Sequence, residues 1–222
     1  MTNPKPVIQD IFEPTAIEQE SFAIIEAEVP EPRPFQGREW RIVRRLIHAT
    51  ADFELLSLVR FHPRAITAGL EALSSGALVI TDTRMAQEGI SARRRTELGF
   101  TVACAMTDPA VAEAAKSRGC TRAMAAMDLC ADMKGPLVLA IGNAPTALLR
   151  LLELVRRGAL RPALVIGMPV GFVNAAQSKD LLMAQDEVPY IAIQGRKGGS
   201  ALAAATVNAL AEILLEDKRP PS

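Results

Sequence analysis

Cysteines and aromatic residues are scarce in this sequence of 222 residues. The three cysteines, Cys104, Cys120 and Cys130, are odd in number and show no CxxC spacing, which argues against a disulfide framework and against a zinc site. Aromatic residues make up 4% of the chain, whereas apolar residues as a whole make up 49%. This composition is typical of a layered α/β protein with a well-buried core and not of a disordered chain.

Net charge and long apolar runs are also absent. Lys and Arg number 25, and Asp and Glu number 25, so the chain has no bulk field that would attract nucleic acid or an anionic membrane. The longest apolar runs, such as "PALVIGMPVGFV", are interrupted by Gly and Pro and are too short to span a bilayer. The opening "MTNPKPVIQDIFEP" lacks the features of a signal peptide. We therefore expect a cytoplasmic protein with no nucleic-acid or membrane partner.

Between residues 77 and 195, short continuous apolar runs alternate with amphipathic helical patterns. Continuous runs are typical of strands that are covered on both faces, and helical crossovers make successive strands parallel. We therefore predict a three-layer α/β fold with a five-stranded parallel sheet. The predicted strands are Ala77–Thr81, Phe100–Met106, Pro136–Gly142, Ala163–Gly167 and Tyr190–Gly195.

The N-terminal part of the chain has a different pattern. Pro-rich stretches lie on both sides of the first helical segment, and Pro removes a backbone donor and disfavours helix in the residue before it. We predict a flexible arm over residues 1–14 and a single domain over residues 15–222, with N-terminal helices added to the sheet. The predicted N-terminal helices are Thr15–Glu28, Arg38–Ala51 and Ala65–Ser74.

Four loops follow predicted strands, and ligands of open parallel sheets bind at the carboxyl ends of the strands. The loops read "TDTRM", "GNAPT", "GMPVGFVNAAQSKD" and "GRKGGS". In the last of these, backbone N–H groups with Arg196 and Lys197 form either a carboxylate or phosphate cradle, or only a Gly-rich turn with Ser200 as the helix N-cap. No Walker loop or GxGxxG fingerprint is present, and we expect neither a cofactor nor a metal. Asp82 in "TDTRM" is as readily a loop or cap residue as a phosphotransfer acid.

His48, one of only two histidines, lies on a predicted helix. It shares one helical face with Arg41, Arg44 and Arg45, at spacings of three, four and seven residues. This face is either a solvated basic surface or a polar stripe toward a polyanionic ligand, with His48 as a proton donor near neutral pH. The other histidine, His62, is expected to be a cap or surface residue.

Five segments together resemble the precorrin-8X methylmutase and cobalt-precorrin-8 methylmutase family. They occur in the family's order, from about residue 20 to residue 210, and the pieces "GNAPTAL" and "PVGFVNAAQSK" are especially specific. The five segments are "ESFAIIEAE", "HATAD", "AIGNAPTALLRLLEL", "GMPVGFVNAAQSKDLL" and "GRKGGSALAAATVNAL".

The resemblance implies an isomerase of corrin biosynthesis that moves a methyl group between adjacent carbons of ring C. The product would be hydrogenobyrinic acid or its cobalt-containing equivalent. The resemblance further implies a flavodoxin-like fold, no redox cofactor, and a homodimer with the tetrapyrrole substrate at the subunit interface. Hand-over of substrate and product to neighbouring enzymes of the pathway is a further expectation.

The resemblance also assigns site residues. His48 would protonate the macrocycle, Ser21 would lie at the rim of the active site, and Arg122 would pair with a substrate carboxylate. Backbone donors of the strand-end loops would bind further acetate and propionate arms. The other expected substrate-binding residues are Asp82, Met85, Gly142, Asn143, Ala144, Pro145, Thr146, Val170, Gly171, Phe172, Gly195, Arg196, Lys197, Gly198, Gly199 and Ser200.

The chain departs from the family pattern at two places. Arg84 in "TDTRMAQEG" stands where the family usually has a small or hydrophobic residue, and "VNAAQSK" replaces the commoner "VGAAESK". Two alternatives to the isomerase are a carrier that binds a tetrapyrrole without catalysis, and a flavodoxin-like module that binds FMN or a phosphorylated sugar at "GRKGGS".

Overall fold

The computed structural model describes residues 11–218 and divides into two compact units, with a boundary after Pro34. The N-terminal unit contains helix α1, Pro14–Glu28, close to its predicted bounds. The Glu13 side chain accepts hydrogen bonds from the first backbone N–H groups of α1, which fixes the start of the helix. Residues 1–10 of the predicted arm lie outside the described residues, and the single domain over 15–222 stays a prediction.

The second unit, from Phe35 onward, is an α/β structure. Its strands are β1 (Val59–Phe61), β2 (Leu78–Thr81), β3 (Thr101–Cys104), β4 (Leu137–Ile141), β5 (Leu164–Gly167) and β6 (Tyr190–Ile193). Its helices are α2 (Gly37–Thr50), α3 (Leu55–Leu58), α4 (Ala65–Ser74), α5 (Arg84–Gly89), α6 (Ala92–Leu98), α7 (Pro109–Arg118), α8 (Arg122–Cys130), α9 (Pro145–Arg156), α10 (Ala175–Met183) and α11 (Ser200–Asp217).

The sheet has six strands in the order β1-β6-β5-β4-β2-β3. All five predicted strands are present and parallel, which confirms the α/β fold class. The prediction of five strands missed β1, which pairs antiparallel with β6 through Val59 opposite Ile193. Three residues with a central Arg60 show neither a continuous apolar run nor an alternation long enough to indicate a strand.

Helices cover both faces of the sheet. On one face α11 packs against α2, α4, α5 and α6, and on the other α7, α8, α9 and α10 pack in sequence. All residues of β4, β5 and β6 are buried, which explains why these strands read as continuous apolar runs.

The order of the parallel strands determines where a ligand can bind. After β2 the chain adds β3 on one side and then crosses to add β4 on the other. Such a reversal leaves a crevice between the carboxyl ends of the two inner strands, which are β2 and β4. The loops after β2, β4, β5 and β6 all lie at this edge.

Candidate active site

The carboxylate of Asp82 organises the loop after β4. Asp82 is 3% exposed and accepts hydrogen bonds of 2.7–2.9 Å from the backbone N–H groups of Gly142, Asn143 and Ala144. Burial raises the pKa of the Asp82 carboxyl, and the three N–H donors oppose this rise. The expectation that these three N–H groups bind a substrate carboxylate is therefore wrong, because Asp82 already occupies them.

The loops after β2, β4 and β6 meet at Ser200. Its hydroxyl lies 2.7 Å from the Thr83 hydroxyl, and it is 8% exposed. A Cβ atom on Gly142 would come within 2.7 Å of the Ser200 Cα atom, so only glycine permits this approach of the two backbones. Ser200 thus joins loops within the protein, and the N-cap of α11 is Gly199 rather than Ser200.

A cleft of about 430 Å³ opens at the carboxyl ends of β2, β3 and β4. Arg84, Arg122 and Asn143 line it, with Asp82 at its buried side. The neighbouring Thr146 hydroxyl is 3.0 Å from that of Thr121, the N-cap of α8. The cleft therefore brings two guanidinium groups to the crevice that the strand order predicts, and such groups match carboxylates.

The 195–200 loop is attached to the loop after β5. Gly199 donates its N–H to the Met168 carbonyl oxygen at 2.9 Å, and Gly171 donates to the Arg196 carbonyl oxygen at 3.2 Å. The hydrogen bonds recorded among residues 11–218 do not use the N–H groups of residues 195–198. The loop after β6 therefore differs from the loop after β4, because most of its N–H groups stay available to a ligand.

Lys197 connects this loop to the segment that follows His48. Its Nζ atom lies 2.5 Å from Asp52 Oδ2 and also pairs with Glu54. The hydrogen bond with Asp52 raises the pKa of Lys197 and lowers that of Asp52. The structure therefore brings His48, in the last turn of α2, to the same region as the 195–200 loop, but the charge of Lys197 is shared with two acids.

The arginine stripe of α2 has a structural role that neither interpretation of the sequence included. Arg38 pairs with Asp217 at 2.8 Å, Arg41 pairs with Glu216, and Arg45 pairs with Glu212 at 3.2 Å. These acids lie on the last turns of α11. The stripe thus joins α2 to α11, while His48 at its end is half-buried.

Apolar side chains are exposed beside these polar groups. Met85 after β2 and Val170, Phe172 and Val173 after β5 are 72%, 42%, 82% and 79% exposed. The Arg196 guanidinium carbon lies 5.5 Å from the centre of the Phe172 ring, which joins the two loops by a cation–π contact. A planar ligand with carboxylate arms would find both an apolar surface and cationic partners at this edge.

Known proteins that are similar to this chain belong to one family. The family model described as "Precorrin-8X methylmutase" matches residues 16–213. The chain belongs to the precorrin-8X methylmutase family. Members of this family are isomerases of corrin biosynthesis, and the resemblance noted in the sequence is confirmed.

Individual members of the family support the assignment over nearly the whole chain. The "Cobalt-precorrin-8 methylmutase" of Leptospira interrogans is 40% identical over 210 residues, covering 91% of this chain and 94% of that protein. The "Precorrin-8X methylmutase" of Pseudomonas aeruginosa is 42% identical over 206 residues, covering 92% and 98%. The crystal structure of precorrin-8X methylmutase from Thermus thermophilus is 43% identical with a TM-score of 0.84, covering 94% and 100%. The assignment favours the isomerase over an FMN-binding or sugar-phosphate-binding module.

Membership of the methylmutase family makes one departure of this sequence interpretable. Asn174, where the family commonly has glycine, has φ of +61° and lies at the N-cap of α10. This left-handed conformation favours glycine, and asparagine is among the few other residues that adopt it readily. Gln177 stands where glutamate is commoner. Its side chain is exposed, so this difference removes a carboxylate from the surface of α10.

Two further residues singled out in the sequence, Ser21 and His62, have local hydrogen-bond partners. Ser21 belongs to the N-terminal unit, where its hydroxyl donates to the Ile17 carbonyl oxygen at 2.8 Å. His62 is 5% exposed, with Nε2 at 3.0 Å from Asp186 and Nδ1 accepting the Arg64 N–H. The expectation of a cap or surface residue is wrong for His62, because its side chain is buried and the N-cap of α4 is Arg64. None of the helices within residues 11–218 is long and apolar enough to cross a membrane.

Lys179, which is not among the site residues predicted from the sequence, is fully buried at the same edge of the sheet. The buried residues of α10 are Ala175, Ser178, Lys179 and Leu182, at spacings of three, four and seven residues. This helical period was available in the sequence, and it places the lysine on the buried face. Lysine is seldom fully buried, so its residue type predicts an exposed position and opposes this helical pattern.

Proposed function

We propose that this methylmutase acts on precorrin-8X or its cobalt-containing counterpart and moves a methyl group between adjacent carbons of ring C. The bond from the methyl group to one ring carbon breaks, and a bond to the neighbouring carbon forms. Substrate and product are isomers, so the proton that His48 donates to the macrocycle is returned in the same cycle. Protonation makes the ring system electron-poor, which favours migration.

The observation that carries this proposal is the bridge from Lys197 to Asp52. It joins the 195–200 loop, with its available N–H groups, to the segment four residues beyond His48. A substrate whose carboxylate arm binds this loop would place its macrocycle toward the end of α2. His48 is therefore the proton donor that this geometry favours.

Further contacts follow from the shape and chemistry of the same edge. Arg122, together with Arg84, would bind a substrate carboxylate in the cleft at β2, β3 and β4. Met85, Val170 and Phe172 would contact the apolar surface of the macrocycle or of a second subunit, because they are exposed there. The remaining residues expected from the resemblance, apart from Asp82 and the three N–H groups that bond to it, would complete the pocket around these contacts.

The exposed apolar side chains also support an assembly proposal. We propose a homodimer with the active site at the subunit interface, to which Ser21 contributes at the rim. We further propose a cytoplasmic enzyme that passes its product to neighbouring enzymes of the pathway. Equilibrium sedimentation tests the dimer, and it should give twice the mass of 23.8 kDa calculated for one chain.

The decisive experiment follows the visible spectrum of purified protein mixed with precorrin-8X or with cobalt-precorrin-8. We expect the wild type to convert one of them and His48→Ala to bind it without conversion. His62→Asn is a matched control, because the asparagine Oδ1 atom can replace the Nδ1 acceptor of a histidine outside the site. Conversion by His48→Ala would exclude its role as proton donor, and binding without conversion by the wild type would indicate a carrier.

A further inference from the structure

Lys179 lies beneath the 195–200 loop with no exposed surface. Its Nζ atom donates a hydrogen bond of 2.6 Å to the Lys197 carbonyl oxygen. Lys179 stands on the buried face of α10, so its side chain reaches the loop from the inside of the protein. The proposed roles of His48 and the arginines make no use of this group.

Burial of an ammonium group is energetically unfavourable. Removing a charge from water is unfavourable unless it is well paired, and an apolar side chain of similar length would pack at lower cost. Burial accordingly lowers the pKa of Lys179 to about 8. The packing of α10 therefore does not explain a lysine here, whereas the hydrogen bond to the loop does.

The 195–200 loop, which Lys179 contacts, packs closely against the loop after β5. A Cβ atom on Gly198 would come within 2.1 Å of the Met168 carbonyl oxygen, so the two loops lie in direct backbone contact. Lys197 is held at both ends, because its carbonyl accepts from Lys179 and its Nζ atom pairs with Asp52. The orientation of the available N–H groups of the loop depends on this arrangement.

We propose that Lys179 is a positioning residue of the substrate site, which fixes the 195–200 loop through the Lys197 carbonyl so that the loop's N–H groups face a substrate carboxylate. This inference rests on the proposed function, in which that loop binds an acidic arm of the tetrapyrrole. Lys179 itself does not contact the substrate. Its effect is expected in substrate affinity more than in the rate of the methyl shift.

Lys179→Met is the variant that separates positioning from simple stability. Methionine fills a similar volume without a charge, so the melting temperature should stay equal or rise, while KM increases about tenfold and kcat changes less. Leu182→Met is the matched control, because it introduces the same residue on the same buried face, where Leu182 packs against Gly167 of β5. The control should retain the wild-type KM.

Amide hydrogen exchange supplies a readout that does not depend on the substrate. In Lys179→Met the N–H of Gly199, bonded to Met168, should exchange about tenfold faster, whereas the N–H of Leu210 in the middle of α11 should be unaffected. If the wild type converts neither substrate, the proposed function fails, and this exchange measurement still tests whether Lys179 holds the loop.

Two results would overturn the inference. One is unchanged KM and unchanged Gly199 exchange in Lys179→Met. The other is a fall in melting temperature that accounts for the lost activity both in this variant and in Lys179→Gln, because Lys179 would then serve only folding. Retention of part of the wild-type affinity by Lys179→Gln, whose amide keeps an N–H donor, would support the positioning role.

Discussion

The loops that follow β4 and β6 lie at the same edge of the sheet, and a buried charged side chain lies beneath each. Beneath the loop after β4 the carboxylate of Asp82 accepts three backbone N–H groups. Beneath the loop after β6 the ammonium of Lys179 donates to one backbone carbonyl. The two loops are similar in their content of small residues but are held by charges of opposite sign.

This difference determines what each loop can offer a ligand. An anion beneath a loop turns N–H groups inward, so the loop after β4 has lost the donors that a substrate carboxylate needs. The cation beneath the 195–200 loop binds a carbonyl, and the hydrogen bonds within residues 11–218 do not use the N–H groups of residues 195–198. Glycine-rich sequence alone therefore does not identify an anion site, because the sign of the buried charge beneath it decides.

The largest effect is expected for Asp82→Ala. The change leaves three N–H groups without their acceptor, one of them buried and two partly buried, and an unsatisfied buried group costs about 1–3 kcal/mol. The free energy of unfolding, measured by urea denaturation, should fall by about 3 kcal/mol or more. Asp108→Ala, which removes a carboxylate that accepts from the single exposed N–H of Ala110, is the control with a smaller loss. Equal losses would contradict the organising role of Asp82.

The next effect concerns pH and Lys179. The pKa of Lys179 is about 8 in the folded protein, whereas the ordinary lysine value of 10.5 applies to the unfolded chain. Between these two pH values the unfolded chain therefore binds more protons than the folded protein. The free energy of unfolding should therefore rise with pH in this window, by up to about 3 kcal/mol at 1.36 kcal/mol per pKa unit. The comparison is with Lys179→Met, in which this rise should be missing. Parallel curves for the two proteins would show that burial does not lower the pKa of Lys179.

A smaller effect is expected for Lys197→Met, which removes the pairs with Asp52 and Glu54 but leaves the carbonyl bonded to Lys179. Partly exposed ion pairs contribute little, so the free energy of unfolding should fall by less than about 1 kcal/mol. The main effect should be on the catalytic rate, because the segment after His48 loses its connection to the 195–200 loop. Steady-state rates report this, with Lys134→Met as the control, because Lys134 is an exposed lysine before β4, away from the strand-end loops. Equal kinetics in both variants would make the bridge irrelevant to His48.

The smallest effect separates backbone conformation from charge. Asn174→Gly should change the free energy of unfolding by at most about 1 kcal/mol, because both residues adopt the left-handed conformation of this position. Asn174→Val should destabilise by more, since a β-branched residue is strained there. Thermal melts of the two variants measure the difference, and similar melting temperatures would contradict the conformational explanation.

The sheet was predictable from sequence because fully buried strands leave continuous apolar runs that are independent of context. The strand Val59–Phe61 was not, since a three-residue edge strand is formed by pairing with Ile193 and its neighbours and has no pattern of its own. The site was predictable as a set of strand-end loops, because topology alone brings those ends together.

The direction of the backbone groups within these loops was not predictable. It depends on Asp82 and Lys179, which lie 60 and 18 residues from the loop residues they bond, and no local pattern links such positions. The role of the arginines of α2 was not predictable for the same reason. Arg41 and Arg45 pair with acids of α11, and a basic stripe reads the same in sequence whether it faces solvent, a ligand or another helix.

The ion pairs between α2 and α11 have a consequence for how the enzyme is made. Arg45 and its partner Glu212 are separated by 167 residues along the chain, so the helix that carries His48 leaves the ribosome long before its partners exist. The helix α2 is thus among the first parts of this unit to be synthesised and among the last to be anchored. A truncation or fusion near residue 212 would act on His48 from the opposite end of the sequence.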